Sequence, residues 1–365
     1  MQSNALHTNG IHHVSAVAGD PRENLRFYTE TLGLRFVKRT VNFDDTTTYH
    51  LYYGDETGSP GTALTFFPFE GTRRGRPGRG QAVATALSVP EGSLDYWTDR
   101  LRESDATVRD RLRRFGASVL PFEDPDGQPL ELVETDADDS PIEPWTGGPV
   151  PAEHGVRGFF GVTLHSAEPE ATANVLDVLG FERVGSEAER DDGAERVRYA
   201  ATGDHATVVD VLHRGPPRGR PGVGTVHHVA FRAADEAEQL AWRDRLSDAG
   251  QFVTPQKDRQ YFQSIYFREP GGILFEIATD GPGFDVDESV DELGSELKLP
   301  SWLEDDRERI EAGLPSLDSV DGGSMAGRDD SDPMADGEDS GRTADSADGD
   351  SEESTKATAD GGANE

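Results

Sequence analysis

Cysteine is absent from the 365-residue chain, so disulfides and thiolate ligands are both excluded, and any bound metal must be held by imidazole and carboxylate. Long apolar runs are missing too. No stretch approaches the roughly 18 apolar residues that a membrane helix needs. Met1 to Gly10 shows no charged segment followed by an apolar stretch and a small-residue cleavage site, so a soluble, cytoplasmic protein is expected. Basic residues are scarce: 35 Lys and Arg stand against 70 Asp and Glu, for a net charge of −35. That balance argues against nucleic acid or an anionic membrane as partner. Self-repulsion of this size is severe in dilute buffer. Molar salt shortens the screening length to roughly 3 Å, so the composition fits a salt-adapted protein from an ion-rich cytoplasm.

What the chain does contain is internal repetition. A unit beginning with the strand-like Ile11-His12-His13-Val14-Ser15-Ala16-Val17 passes through a helix and ends in three strand-like stretches near Phe69. Asp20 can cap that helix, Pro21 suits its first turn and Glu23 completes a capping-box pattern. Leu25, Tyr28 and Leu32 fall on one face before Gly33 stops it. A second unit, from about Gln81 to Asp136, has Ser93 as cap and Leu94, Trp97 and Leu101 as buried face. A third runs from about Arg157 to Leu212 and a fourth from about Thr225 to Thr279. The fold class is therefore α+β, with four βαβββ modules.

The loops Arg74-Gly75-Arg76-Pro77-Gly78-Arg79-Gly80 and Arg218-Gly219-Arg220-Pro221-Gly222-Val223-Gly224 are nearly the same string, which points to duplication of module pairs. Neither opens a helix, as a phosphate cradle would. Ala137 to His154, rich in Asp, Pro and Gly, reads as the connection between the halves, 8–136 and 155–284. Residues 285–317 read as a docking segment, with a helix over Ser301 to Gly313 that offers Trp302, Ile310 and Leu314 to the body. Beyond about Asp318 the chain cannot bury enough apolar surface to offset its entropy, so a disordered acidic tail is expected.

Two histidine doublets occupy equivalent first strands: His12-His13 and His227-His228, each followed by valine. Alternation turns one imidazole of each doublet inward and its neighbour away or sideways. Glu276 lies between Phe275 and Ile277 in an apolar last strand, after the turn Glu269-Pro270-Gly271-Gly272. A carboxylate there is costly unless it is paired or bound to a cation. Two histidines and one carboxylate with open positions suit a mononuclear non-haem Fe(II) site. The candidate ligands are Glu276 and one imidazole of each doublet. The remaining histidines, His50 among them, have no partner at a matching position and read as structural or surface.

The modules, the "IHHVSAV" and "VHHVAF" strands and the "EPGGILFEI" closing strand resemble the vicinal-oxygen-chelate superfamily of glyoxalases, extradiol dioxygenases and drug-sequestering proteins. Within it, "DRQYFQSIYFREPGG" is most similar to the hydroquinone ring-cleaving dioxygenases, and the resemblance covers about residues 8–317. The extradiol pattern draws one histidine from one module and a histidine plus a glutamate from its partner. Module four has both, and module three places Gly161 where a histidine would be needed. Module one is then the supplier, so the resemblance implies His13, His228 and Glu276 as the metal ligands, in two open barrel-like domains that pair module one with four and module two with three. It also implies Fe(II), ahead of Mn(II) or another divalent metal, acting on a small aromatic diol with O2.

By the same resemblance His12, Ser15, Arg259 and Tyr266 line the pocket, and His227 is a candidate acid/base, since imidazole titrates near neutrality. Arg259 would hold a substrate oxygen and Tyr266 would donate a hydrogen bond. In the other barrel Glu131 and Asp210 occupy the carboxylate slots without imidazoles, which marks that barrel as structural. A glyoxalase-like lyase or isomerase is one alternative, although that class wants a second carboxylate where module one has Thr65. A sequestering protein without turnover is the other. Paired-module proteins of this kind often form dimers, which leaves a homodimer as an open expectation.

Overall fold

The computed structural model describes residues 6–137, 140–189, 194–213 and 217–317. The acidic tail expected to be disordered lies outside them. Among the described residues no helix is long and apolar enough to cross a membrane.

Module one comprises β1 (Ile11–Ala18), α1 (Pro21–Arg26), β2 (Arg35–Asn42), β3 (Asp45–Gly54) and β4 (Ala63–Pro68). Module two comprises β5 (Gln81–Pro90), α2 (Leu94–Arg102), two short strands β6 (Thr107–Val108) and β7 (Leu112–Arg114), then β8 (Ala117–Glu123) and β9 (Pro129–Thr135). Module three has β10 (Phe159–His165), α3 (Pro169–Val178), β11 (Glu182–Ala188), β12 (Glu195–Ala200) and β13 (Val208–His213). Module four has β14 (Thr225–Ala233), α4 (Glu236–Asp248), a two-residue β15 (Lys257–Asp258), β16 (Phe262–Arg268) and β17 (Leu274–Pro282).

Two curled sheets result, in the orders β15-β16-β17-β14-β1-β4-β3-β2 and β11-β12-β13-β10-β5-β9-β8-β6. The antiparallel seam β1–β14 joins module one to module four, and β5–β10 joins two to three. The near-identical Arg/Gly loops meet each other, Arg76 pairing with Arg220 and Gly75 N donating to Val223 O, as two copies of one linker across a pseudo-two-fold would.

The helices bury one stripe each against these sheets. In α4 the stripe is Gln239, Trp242 and Leu246, and in α2 it is Leu94, Trp97, Thr98 and Leu101. Both tryptophans are fully buried, so truncating either to alanine costs about 3–5 kcal/mol. Three local expectations change. After Arg26 helix α1 widens, with Leu32 N donating to Phe27 O five residues back, and this turns Phe27 inward beside Tyr28 and leaves Leu25 half-buried. Ser93 does not cap α2; the Glu134 carboxylate accepts from Gly92 N and Leu94 N instead, while Ser93 Oγ donates to Glu153 O. The last helix is shorter than expected, α5 covering Arg307–Gly313; Ile310 is buried, whereas Trp302 is half exposed.

Candidate metal centre and its cavity

Each histidine doublet sits on a β-bulge of the β1–β14 seam. Ile11 pairs with Phe231 and His13 with Ala230, so His12 is an extra residue in β1. Ser15 pairs with His228 and Ala16 with Val226, so His227 is the extra residue in β14. A bulge cancels the alternation that would send neighbours to opposite faces. As a result both imidazoles of each doublet stay together: His12 Nδ1 lies 2.9 Å from His13 Nδ1, and His227 Nδ1 lies 2.8 Å from His228 Nδ1.

Glu276 is fully buried in β17, opposite Ala230 of β14 on one side and Tyr266 of β16 on the other. Its Oε1 accepts from Ser264 Oγ at 2.5 Å. Its Oε2 lies 2.9 Å from His228 Nε2 and 3.4 Å from His13 Nε2, yet makes no hydrogen bond. The two Nε2 atoms are 3.1 Å apart. Among the described residues this is the one His/Asp/Glu cluster with a metal-holding arrangement, its ligand atoms all within 4.8 Å of one another. Burial alone would raise the Glu276 pKa, but the adjacent His13 and His228 outweigh it and hold the carboxyl well below its usual range. Burial lowers the His228 pKa despite the pull of Glu276. A buried carboxylate oxygen with no hydrogen bond and two imidazole nitrogens turned to one point make a donor set that fits a divalent metal.

The outer imidazoles set the tautomers. His12 Nε2 lies 3.1 Å from the Thr279 carbonyl, which only accepts, so His12 carries its proton on Nε2. Burial depresses its pKa well below the usual value, leaving the ring neutral and Nδ1 bare. His13 therefore donates from Nδ1, and its Nε2 lone pair faces Glu276. The second doublet repeats the Nδ1–Nδ1 approach, so one of its two rings donates to the other there. Burial first, then His228, lowers the His227 pKa to about 4.

A cavity of about 220 Å³ opens over the cluster, walled by Val17, Phe43, Phe67, Phe69 and Phe262. An apolar cavity of about 150 Å³ suffices for benzene, so this one has room for a single substituted ring. Of the residues singled out from sequence, His13, His228, His227, Arg259 and Tyr266 line it. His12 stands behind His13. Ser15 is fully buried, hydrogen-bonded to Thr65 at 2.6 Å, and is not on the wall. Arg259 donates from Nε to Tyr266 Oη at 3.1 Å and from a terminal nitrogen to Asp44 at 2.7 Å. Burial first, then Glu276, raises the Tyr266 pKa, which keeps its proton available as a donor.

The sequence reading missed Asn42, Asp44, His50 and Tyr52, all on this wall. His50, which the sequence alone marks as structural or surface, is part of this wall. Alternation in His50-Leu51-Tyr52 puts its two polar residues on one face, and that was the available signal.

The second barrel shows what the cluster is without imidazoles. Gly161 occupies the slot of His13, and a Cβ there would lie 2.2 Å from Val208 O, so no side chain fits. Glu131 accepts from Arg114 at 2.7 and 2.9 Å, and Asp210 from Arg198 and Arg196 at 2.8–3.1 Å. Arginines neutralise both carboxylates.

The family model described as glyoxalase/bleomycin resistance protein/dioxygenase superfamily matches residues 10–132 and 169–277. MhqO of Bacillus subtilis (strain 168), named as a candidate ring-cleaving dioxygenase, is 46% identical over 311 residues, 85% of this chain and 97% of that protein. The chlorohydroquinone/hydroquinone 1,2-dioxygenase of Sphingobium indicum is 36% identical over 304 residues, 81% of this chain and 92% of that protein. The crystal structure of a candidate dioxygenase from Bacillus subtilis superposes with a TM-score of 0.81 at 45% identity, covering 86% of this chain and 99% of that one.

Proposed function

Given that the chain belongs to the glyoxalase/bleomycin resistance protein/dioxygenase superfamily, we propose that it is a ring-cleaving dioxygenase that uses Fe(II) and O2 to open a hydroquinone or catechol-type ring. The observation that carries the reading is the orphaned Glu276 Oε2 beside His13 Nε2 and His228 Nε2 at the floor of a ring-sized, aromatic-walled cavity. His13, His228 and Glu276 would hold the metal. When bound there, it supplies Lewis-acid polarisation of a ring hydroxyl and a redox partner for dioxygen.

The chain's own groups prepare the ring. The phenylalanine walls exclude water and sandwich it. Tyr266, fed a hydrogen bond by Arg259, turns its own proton into the cavity, where it meets a substrate oxygen. His227, on the cavity wall with Nδ1 toward His228, is placed to hold and return a proton at the reacting edge. His12 acts from behind the wall by fixing the tautomer of His13. The glyoxalase-like reading is disfavoured because Thr65, in the slot that mirrors Glu276, adds no second carboxylate. We further read the chain as cytoplasmic and salt-adapted, from its charge.

The test is anaerobic reconstitution with Fe(II) in molar salt, followed by oxygen uptake against a panel of hydroquinones and catechols. The reading requires stoichiometric uptake with at least one of them. A protein that binds these rings but consumes no oxygen would favour the sequestering alternative.

A further inference from the structure

The pseudo-two-fold that relates module four to module one carries the metal face onto a second face of the same cavity. Glu276 pairs with Ala230, two residues after His228; Thr65 pairs with Ser15, two residues after His13. Tyr266 pairs with Glu276, and Tyr52 pairs with Thr65. Tyr52 is thus the mirror image of Tyr266, and Thr65 stands where the duplicate carboxylate would be. Both tyrosines line the cavity.

Behind Tyr52 runs a chain of hydrogen bonds that the metal cluster does not use. Tyr52 Oη lies 2.8 Å from His50 Nδ1, His50 Nε2 lies 2.9 Å from Thr65 Oγ1, and Thr65 Oγ1 lies 2.6 Å from Ser15 Oγ. The His50 ring is sandwiched between Tyr52 and Phe67, with centroids 4.0 and 4.1 Å away. Keeping an imidazole in such surroundings costs desolvation that an apolar side chain would avoid. Among the described residues Tyr52 Oη has no hydrogen bond besides that to His50, so capacity is left on the cavity side. The chain can run either way. If Tyr52 donates to His50, His50 donates to Thr65 and Thr65 to Ser15, and Tyr52 offers the cavity an acceptor. If Ser15 starts the donation, the order reverses and Tyr52 offers a donor.

We propose that Tyr52, positioned by His50 and Thr65, forms a second oxygen subsite that takes a ring hydroxyl remote from the metal, making Tyr52 and His50 specificity-determining residues. A hydroxyl is both donor and acceptor, which matches a chain able to present either. A few placed polar groups in an otherwise apolar pocket are what fixes the orientation of a ligand. This inference rests on the ring-cleaving reading for the identity of the ligand, but its test needs no turnover.

The experiment is a two-by-two cycle under anaerobic conditions on the full, Fe(II)-loaded chain, with Kd measured by calorimetry for hydroquinone and for 4-methylphenol, which lacks the second oxygen. Tyr52→Phe should weaken hydroquinone by about fivefold to tenfold, the worth of one hydrogen bond, and change 4-methylphenol by less than about twofold. His50→Leu should show the same selectivity. His50→Gln, which can accept from Tyr52 and donate to Thr65, should restore most of the loss, and the two His50 variants carry the test if Tyr52→Phe does not fold. Equal losses for both ligands, no loss for hydroquinone, or no binding of hydroquinone by the wild type would overturn the subsite. Selective loss in a protein that takes up no oxygen would keep the subsite and reject the dioxygenase.

Discussion

Lys38 is a fully buried ammonium on β2, and replacing it with methionine is the sharpest perturbation of the scaffold around the cavity. Its Nζ donates to Asp287 Oδ1 at 2.6 Å and to Glu288 Oε2, and it lies 5.1 Å from the centre of the Tyr261 ring. The two carboxylates fare differently once the cation is gone. The Asp287 side chain is 20% exposed and keeps the hydrogen bond from Tyr261 Oη, so it can turn toward water. The Glu288 side chain is 1% exposed and would be left as an unpaired charge. Removing one partner of such a pair costs about 3–5 kcal/mol, mostly the desolvation of the survivor. Lys38→Met should therefore lower the unfolding free energy by about that amount, read by urea unfolding at constant molar KCl. Adding Glu288→Gln removes the stranded charge while an amide oxygen still faces Gly294 N, and should recover all but about 1–2 kcal/mol. A single variant within about 1 kcal/mol of wild type, or a double variant no more stable than the single, would refute this reasoning.

Burial pushes the Asp124 carboxyl, which accepts from Tyr28 Oη at 2.8 Å, up to about 7. A folded pKa above the unfolded one means that ionisation disfavours the fold. Stability from this group is full below pH about 4 and falls through pH 7 by on the order of 3–4 kcal/mol, whereas Asp124→Asn should flatten that window in pH-resolved unfolding. Arg259→Lys loses the planar fork that reaches Tyr266 and Asp44 together, so kcat/KM of the reconstituted enzyme should fall by about 10- to 100-fold in steady-state assays with stability near wild type. The net charge of −35 predicts a denaturation midpoint that climbs steeply between low and molar KCl in thermal scans; a flat response would contradict it.

The module repeat and the triad were legible because strands advertise themselves with a period of two, and because His-His-Val recurs at equivalent positions. Cross-half pairing followed from the missing histidine at Gly161, for which the structure gives the reason: backbone fills the space a side chain would need. The bulges were not legible. One extra residue opposite a partner strand leaves no trace in the alternation, yet it keeps His12 and His227 against the ligand rings. His50, Tyr52 and Asp44 escaped notice because they come from the β2–β3 hairpin, where no repeated motif marks them and only the curl of the sheet brings them over the cluster. The neutralisation of Glu131 and Asp210 by Arg114, Arg196 and Arg198 was equally hidden, since those arginines lie on other strands.

The proposed chemistry requires that His13, His228 and Glu276 bind one metal ion. Anomalous diffraction from crystals of the Fe(II)-loaded chain, collected at the iron edge, tests it most directly. A single peak is expected about 2 Å from His13 Nε2, His228 Nε2 and a Glu276 carboxylate oxygen, absent in Glu276→Gln crystals treated the same way. A peak elsewhere, or none at this cluster, would contradict it.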